Sequence, residues 1–245
     1  ETGAILAVVI LFWNQIFPFG APEGSHTVRR RQAKHAHRRK KSGNGILSYV
    51  KMDIIILWLK VLVACIPAIV IGMPFNDLFE KWFYNYPCVA IALIVFGIAF
   101  IIVENNHKGK PAKINSMDEL TYKTAFLIGL FQLIAAIFPG TSRSGATIIG
   151  GLVIGLSRTV AAEFTFFLAI PVMFGASLMK VMHFGLHFSG YELGMLLLGM
   201  FTAFLVSVLV IRFLMDYIRK HDFKPFGWYR IVLGILVLVY FGIGA

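Results

Sequence analysis

An all-α protein threaded several times through a membrane is the fold class this sequence predicts. Two observations carry the expectation. Of the 245 residues 58% are hydrophobic and only 14% charged, with a mean hydropathy of +0.78. The apolar residues also gather in long runs and do not alternate with polar ones, which argues against a β-barrel. A soluble domain of this composition would expose large apolar patches. The net charge of +11 is local: eight of the 23 Lys and Arg residues fall in Arg29–Lys41, RRRQAKHAHRRKK. That clustering excludes a surface-wide nucleic-acid-binding field, so no nucleic-acid partner is expected. Cys65 and Cys88 match no metal spacing and read as small core residues.

A hydrocarbon core of ~30 Å needs ~20 helical residues, somewhat fewer where flanking groups snorkel. Six runs qualify: Ile5–Phe19, Asp53–Met73, Pro87–Val103, Val160–Met182, Tyr191–Ile218 and Phe226–Gly244. The first lies in ETGAILAVVILFW, which has no initiator Met and neither the positive n-region nor the cleavage site of a signal peptide. The natural N-terminus is expected to lie upstream.

Orientation follows from Lys and Arg in short loops. The Arg29–Lys41, Asn105–Lys123 and Arg219–Lys224 loops are basic and are expected in the cytoplasm. Those around Asn76–Tyr86 and His183–Gly190 carry one Lys and no Arg, and are expected outside. The segment Thr121–Arg158 must then begin and end on the cytoplasmic side, because a single crossing would flip RKHDFK to the outside. The spacing predicts a re-entrant hairpin with arms Tyr122–Phe138 and Ala146–Leu156 and the tip PGTSRSG. Non-helical backbone at membrane depth is tolerated only where it is buried in protein or lines a water-filled cavity, so the tip is expected to line one.

The tip, FPGTSRSGAT, has the makings of an anion cradle. Gly140 and Gly145 permit close backbone approach. The second arm would aim free N–H groups and the positive end of its dipole at the tip. Arg143 adds a planar fork of donors, and Thr141, Ser142, Ser144 and Thr147 add hydroxyls. An arginine near mid-membrane costs ~2.5–3.5 kcal/mol on insertion scales, which marks Arg143 as a functional candidate. The competing reading is that Arg143 pairs with Glu163 and only pins the hairpin. Glu163 is a candidate charge partner for Arg143 or Arg158, a cation ligand, or an interfacial residue. His183 and His187 stand at i, i+4 but read as loop residues. The basic run, with His26, His35 and His37, is either a site for anionic lipid or a solvated topology determinant.

The stretch Phe131–Leu178, FQLIAAIFPGTSRSGATIIGGLVIGLSRTVAAEFTFFLAIPVMFGASL, closely resembles the second signature region of the undecaprenyl-diphosphatase (bacitracin-resistance) family. The resemblance extends to GAILAVV, to IPAIVIG at Ile66–Gly72, to MDELTYKTAFLIGLFQ at Met117–Gln132 and to FKPFGWYR at Phe223–Arg230. It implies hydrolysis of undecaprenyl diphosphate to undecaprenyl phosphate and inorganic phosphate, recycling the lipid carrier of cell-wall synthesis and giving bacitracin resistance. It also implies a bacterial plasma-membrane location, a polyprenyl diphosphate substrate, a divalent cation (Mg or Ca), and inverted repeats meeting at a site open to the outer face. In that frame residues 1–19 end a first repeat, 20–52 form a basic cytoplasmic loop, and 53–245 hold the second repeat with its hairpin at 121–158. Matched residue by residue, Ser142, Arg143 and Thr147 fall on functional positions, with Arg143 and Ser142 catalytic and Gly140, Thr141, Ser144, Gly145 and Thr147 binding substrate. The family's first signature region, with paired glutamates and an SSTGH-like turn, has no counterpart here, so the chain alone is expected not to turn over. A lipid-phosphate carrier built on the same anion site is the alternative. A histidine-nucleophile lipid phosphatase is a further one, against which His183 and His187 lack a PSGH-like setting.

Overall fold

Long apolar runs fold as helices in this chain because a helix satisfies every backbone polar group internally. The computed structural model describes residues 2–18, 52–107, 109–184 and 189–243. The basic run at 29–41, the loop at 20–51, His26, His35, His37, His187 and the side chain of His183 lie outside the described residues. Ten α-helices are described: α1 (Thr2–Leu11), α2 (Trp13–Ile16), α3 (Met52–Pro67), α4 (Asn76–Phe83), α5 (Tyr86–His107), α6 (Tyr122–Ile137), α7 (Arg143–Ile154), α8 (Arg158–Phe184), α9 (Gly190–Lys220) and α10 (Lys224–Ile243). A π-helical turn at Ala68–Gly72 extends α3, and the only β-pairing among the described residues is an isolated bridge.

Among the described residues five helices are long and apolar enough to cross a membrane: Met52–Gly72, Tyr86–His107, Arg158–Met182, Gly190–Lys220 and Lys224–Ile243. The protein is a multi-pass membrane protein of all-α class. Two expected elements differ from the sequence reading. The run at Ile5–Phe19 is not one helix but two, α1 and α2, parted at Phe12, whose ring packs edge-on against Phe167 of α8 at 5.4 Å. The expected loop at Asn76–Tyr86 contains the helix α4. Trp82, Tyr84 and Tyr86 stand exposed there, the aromatic belt expected at a membrane boundary.

The hairpin is formed by α6 and α7. Thr121 caps α6 by accepting from the Thr124 N–H. At the far end α7 closes on Gly155, left-handed at φ 108°, with Leu156 N–H reaching back to Gly151 O at 2.9 Å, a Schellman closure. The chain entering the hairpin then meets the chain leaving it: Lys113 N–H donates to Gly155 O (2.9 Å) and Ser157 N–H to Ile114 O (2.9 Å). Both ends of the segment therefore lie on one side. The 12-residue α7 rises about 18 Å, short of the ~30 Å core, so this arm is too short to cross a bilayer.

Two of the three basic loops expected in the cytoplasm come together at this base. Residues of α5's C-terminus, the α5–α6 connection, the start of α8 and the α9–α10 turn line one polar cavity. Lys60, buried on α3, extends its ammonium to Asp118 O (3.5 Å) at the same end. At the other end Phe83 of α4 meets Phe138 of the tip at 4.8 Å.

Since lipid tails are as apolar as leucine, helix association here depends on close packing. The α5–α10 pair shows how: Gly97 and Gly227 face each other so closely that a Cβ on either would lie 2.7 Å from the other's carbonyl oxygen. The main core gathers Phe164, Phe167 and Leu168 of α8 with Val61 and Ala64 of α3, Ile128 of α6 and Leu152 of α7. Both hairpin arms are thereby clamped between α3 and α8.

Candidate active site at the hairpin tip

The tip is shaped by two residues at positive φ. After α6 ends, Gly140 takes φ 91° and Ser142 takes φ 64°, the one non-glycine residue at positive φ among those described. A strained residue of this kind costs about 1–3 kcal/mol and tends to occur at functional sites. Its reward is position. Ser142 caps α7, with Oγ accepting from the Gly145 N–H at 3.4 Å and lying 3.2 Å from Ser144 Oγ. The N–H groups of Arg143 and Ser144 in the first turn have no intrahelical partner. Gly140 could not carry a side chain, because a Cβ would meet Val89 O of α5 at 2.6 Å.

Around this turn the sequence-derived residues divide. Ser142, Arg143 and Ser144 are exposed, whereas Thr141 and Thr147 are buried. Thr147 Oγ1 lies 3.0 Å from both Arg143 O and Ser144 O and 2.9 Å from Thr165 Oγ1 of α8. Thr147 therefore braces the first turn and joins it to α8. Thr141 is fully buried with its hydroxyl unpartnered among the described residues, while its carbonyl accepts a bond from Arg230.

Ser142 and Ser144 line two cavities. One, of about 250 Å³, contains Arg143, Gln132, Thr147 and Thr165. The other, of about 480 Å³, contains Arg230 and Gly145 among apolar residues of α5, α9 and α10. The two arginines are in different states. Arg230 is buried, and its Nη2 donates to the carbonyls of Gly140 and Thr141. Arg143 makes no hydrogen bond from its guanidinium among the described residues, so its five donors remain available to a ligand. Gly145 is required where it stands, since a Cβ would lie 2.5 Å from Arg230 Nη1.

Glu163 is not with them. It lines a separate cavity of about 300 Å³ with Arg212, Asp216 and Arg219 of α9. The reason is helical phase: two residues along α8 turn a side chain by about 200°, so when Thr165 faces α7, Glu163 faces away. Arg158 has its partner elsewhere, in Glu104 at the buried end of α5, through Nε (3.0 and 3.1 Å) and Nη2 (2.6 Å).

A turn of this build suits an anion: free N–H groups at a helix start, an unpaired guanidinium and two hydroxyls, with no carboxylate lining either cavity. The chain as a whole matches known proteins. The model of the bacitracin resistance protein BacA family matches residues 1–236. The chain belongs to this family. Undecaprenyl-diphosphatase 1 of Clostridium acetobutylicum is 55% identical to this BacA-family chain over 241 residues, covering 98% of it and 80% of the relative. Undecaprenyl-diphosphatases of Desulfitobacterium hafniense and Enterococcus faecalis are 56% and 49% identical, each covering 98% of this chain and 78% and 79% of their own lengths.

Arg230, Gln132 and Thr165 were not among the sequence candidates of this BacA-family site. Arg230 carried a usable signal, being an arginine inside the apolar run of the last span, where an ionisable residue is a functional candidate. Nothing in the sequence places it against a loop 89 residues earlier.

Proposed function

We propose that this chain carries the diphosphate-binding part of an enzyme that hydrolyses undecaprenyl diphosphate to undecaprenyl phosphate and inorganic phosphate in the bacterial plasma membrane. The observation that carries the reading is the unpaired guanidinium of Arg143 at a helix start with free N–H groups, in a chain whose relatives bear the name undecaprenyl-diphosphatase. Water attacks the terminal phosphorus, the bridging P–O bond breaks, and the electron pair leaves with undecaprenyl phosphate. Arg143 and the N–H groups of α7 hold the diphosphate and meet the negative charge on the phosphoryl oxygens as it passes, the electrostatic share of phosphoryl transfer. Ser142 and Ser144 donate hydroxyls to the same oxygens. Arg230 positions the loop through its two carbonyl bonds and Thr147 through its bond to Thr165.

With the basic loops at the hairpin base in the cytoplasm, the tip points towards the outer half of the membrane, and the site opens to that face. A divalent cation, expected from the family, finds no ligand set in this chain: no group of three or more His, Cys, Asp or Glu side chains converges among the described residues. The donors at the tip suit an anion, and no step is assigned to a metal.

The test is phosphate release from undecaprenyl diphosphate in detergent by the intact protein, comparing wild type with Arg143→Lys. Loss of the two-pronged fork should reduce turnover by about 100-fold or more. Near-normal turnover by the lysine variant would overturn the role of Arg143.

A further inference from the structure

The Arg143 cavity has an apolar neighbour. Between α1, α8 and α9 lies a second cavity of about 370 Å³, walled by side chains such as Ile5, Val8, Phe166, Ile170 and Val206. Its lining and that of the Arg143 cavity share Ser144, Thr165, Ala169 and Met173. The two spaces thus meet along the α8 face that continues from Thr165 through Ala169 to Met173, four residues apart and on one side of the helix.

The border is chemically quiet. Thr165 has its hydroxyl engaged with Thr147 (2.9 Å), so it offers an apolar chain its methyl group and no unsatisfied donor. Ala169 presents only a methyl at the neck. Beyond it, Ser207 is the only polar side chain that the apolar cavity does not share with the Arg143 cavity. A ligand filling both spaces needs a strongly anionic end and an uninterrupted apolar chain attached directly to it. The larger cavity at Arg230 is also mainly apolar, but there Nη2 of the guanidinium is engaged by the carbonyls of Gly140 and Thr141. On the Arg143 side an available cation adjoins an apolar chamber in a cavity that no carboxylate lines.

We infer that the chamber between α1, α8 and α9 receives the diphosphate-proximal isoprene units of the substrate, and that Ala169 and Ser207 set how bulky those units can be. The inference rests on the diphosphatase reading above. Ala169 sits at the neck and lines both spaces, whereas Ser207 on the opposite wall of α9 lines the apolar one alone, so enlarging either obstructs the chain and enlarging Ser207 does so while leaving Arg143, Ser142 and the α7 N–H groups in place.

The experiment uses the intact protein in detergent with Ala169→Phe and Ser207→Phe. Three quantities are read: kcat/KM for undecaprenyl diphosphate, kcat/KM for farnesyl diphosphate, and the inhibition constant of inorganic phosphate, which probes the anion cradle alone. Both variants should lose at least about tenfold in kcat/KM on both prenyl substrates, while in Ser207→Phe phosphate inhibition stays within about twofold of wild type. Unchanged kcat/KM in both variants overturns the assignment. So does a parallel tenfold weakening of phosphate inhibition in Ser207→Phe, which would make the chamber a support of the cradle and not a seat for the chain. If wild type releases no phosphate from either lipid, it is the diphosphatase reading that has failed.

Discussion

Arg158 grips Glu104 through both carboxylate oxygens, with Nη2 at 2.6 Å, at a point where Glu104 is fully buried and also accepts the Phe223 N–H at 3.1 Å. One carboxylate therefore ties together the end of α5, the start of α8 and the α9–α10 turn. Removing one partner of a buried pair leaves a charge stranded, typically at 3–5 kcal/mol. Arg158 keeps 31% exposure of its side chain, which places Glu104→Gln at the low end, about 3 kcal/mol. Denaturant unfolding in mixed micelles should show that loss, and a change below about 1 kcal/mol would remove the tie from the account. Since the pair lies at the hairpin base, Glu104→Gln should retain substrate affinity at temperatures where it stays folded.

Arg230 and Gly145 form a second coupled pair. The guanidinium holds the carbonyls of Gly140 and Thr141, and Gly145 leaves room for its Nη1. Arg230→Met strands two buried carbonyls at about 1–3 kcal/mol each. Gly145→Ala should reproduce the loss of activity with Arg230 still present, because the methyl displaces the guanidinium. Phosphate-release rates for both variants and the double variant check this: the double should be little worse than the worse single. Full additivity would mean that the two act separately.

The bond between Thr147 and Thr165 joins the first turn of α7 to α8. Valine at either position leaves the other hydroxyl buried without that partner, at about 1 kcal/mol. The double valine variant removes both, so the pair should show a coupling energy of about 1 kcal/mol in stability. Turnover should fall modestly in each single variant and partly recover in the double. Independent, additive losses would show that the bond contributes nothing between the helices.

What the sequence made legible is the part set by local pattern. Hydropathy located the five long spans within a few residues, and loop charge required a hairpin whose arms the structure places at Tyr122–Ile137 and Arg143–Ile154. The first turn of α7 was also readable, because Ser, Gly and Arg at these positions have few other uses inside a membrane. Pairings across the chain were not readable. Charge and nearness in sequence offered Glu163 as a partner for Arg158, whereas the structure pairs Arg158 with Glu104, 54 residues away, and the phase of α8 turns Glu163 from the tip. Arg230 was hidden for the same reason: its partners are backbone carbonyls, which every residue has. The helix α4 was read as a loop because its apolar residues are too few to mark a span and it lies along the boundary.

The hairpin itself is open to a direct test. Pro111 precedes it and His221 follows the α8–α9 pair of crossings; both are exposed, and so is Asp77 in the first turn of α4. If α6 and α7 return to their side of entry, single cysteines at Pro111 and His221 should react with a membrane-impermeant maleimide only from the cytoplasmic face. A cysteine at Asp77 should react only from the other face. These variants belong on a Cys65→Ala, Cys88→Ala background, which removes the two native thiols. Were the segment to cross once, every element after it would invert and His221 would label from the face opposite Pro111. A cysteine at Ser144 adds the depth of the tip. It is exposed in the Arg143 cavity, so it should react from the outer face and be protected by added diphosphate substrate. Labelling of Ser144→Cys from the cytoplasmic face alone would keep the hairpin but reverse the side on which the site opens.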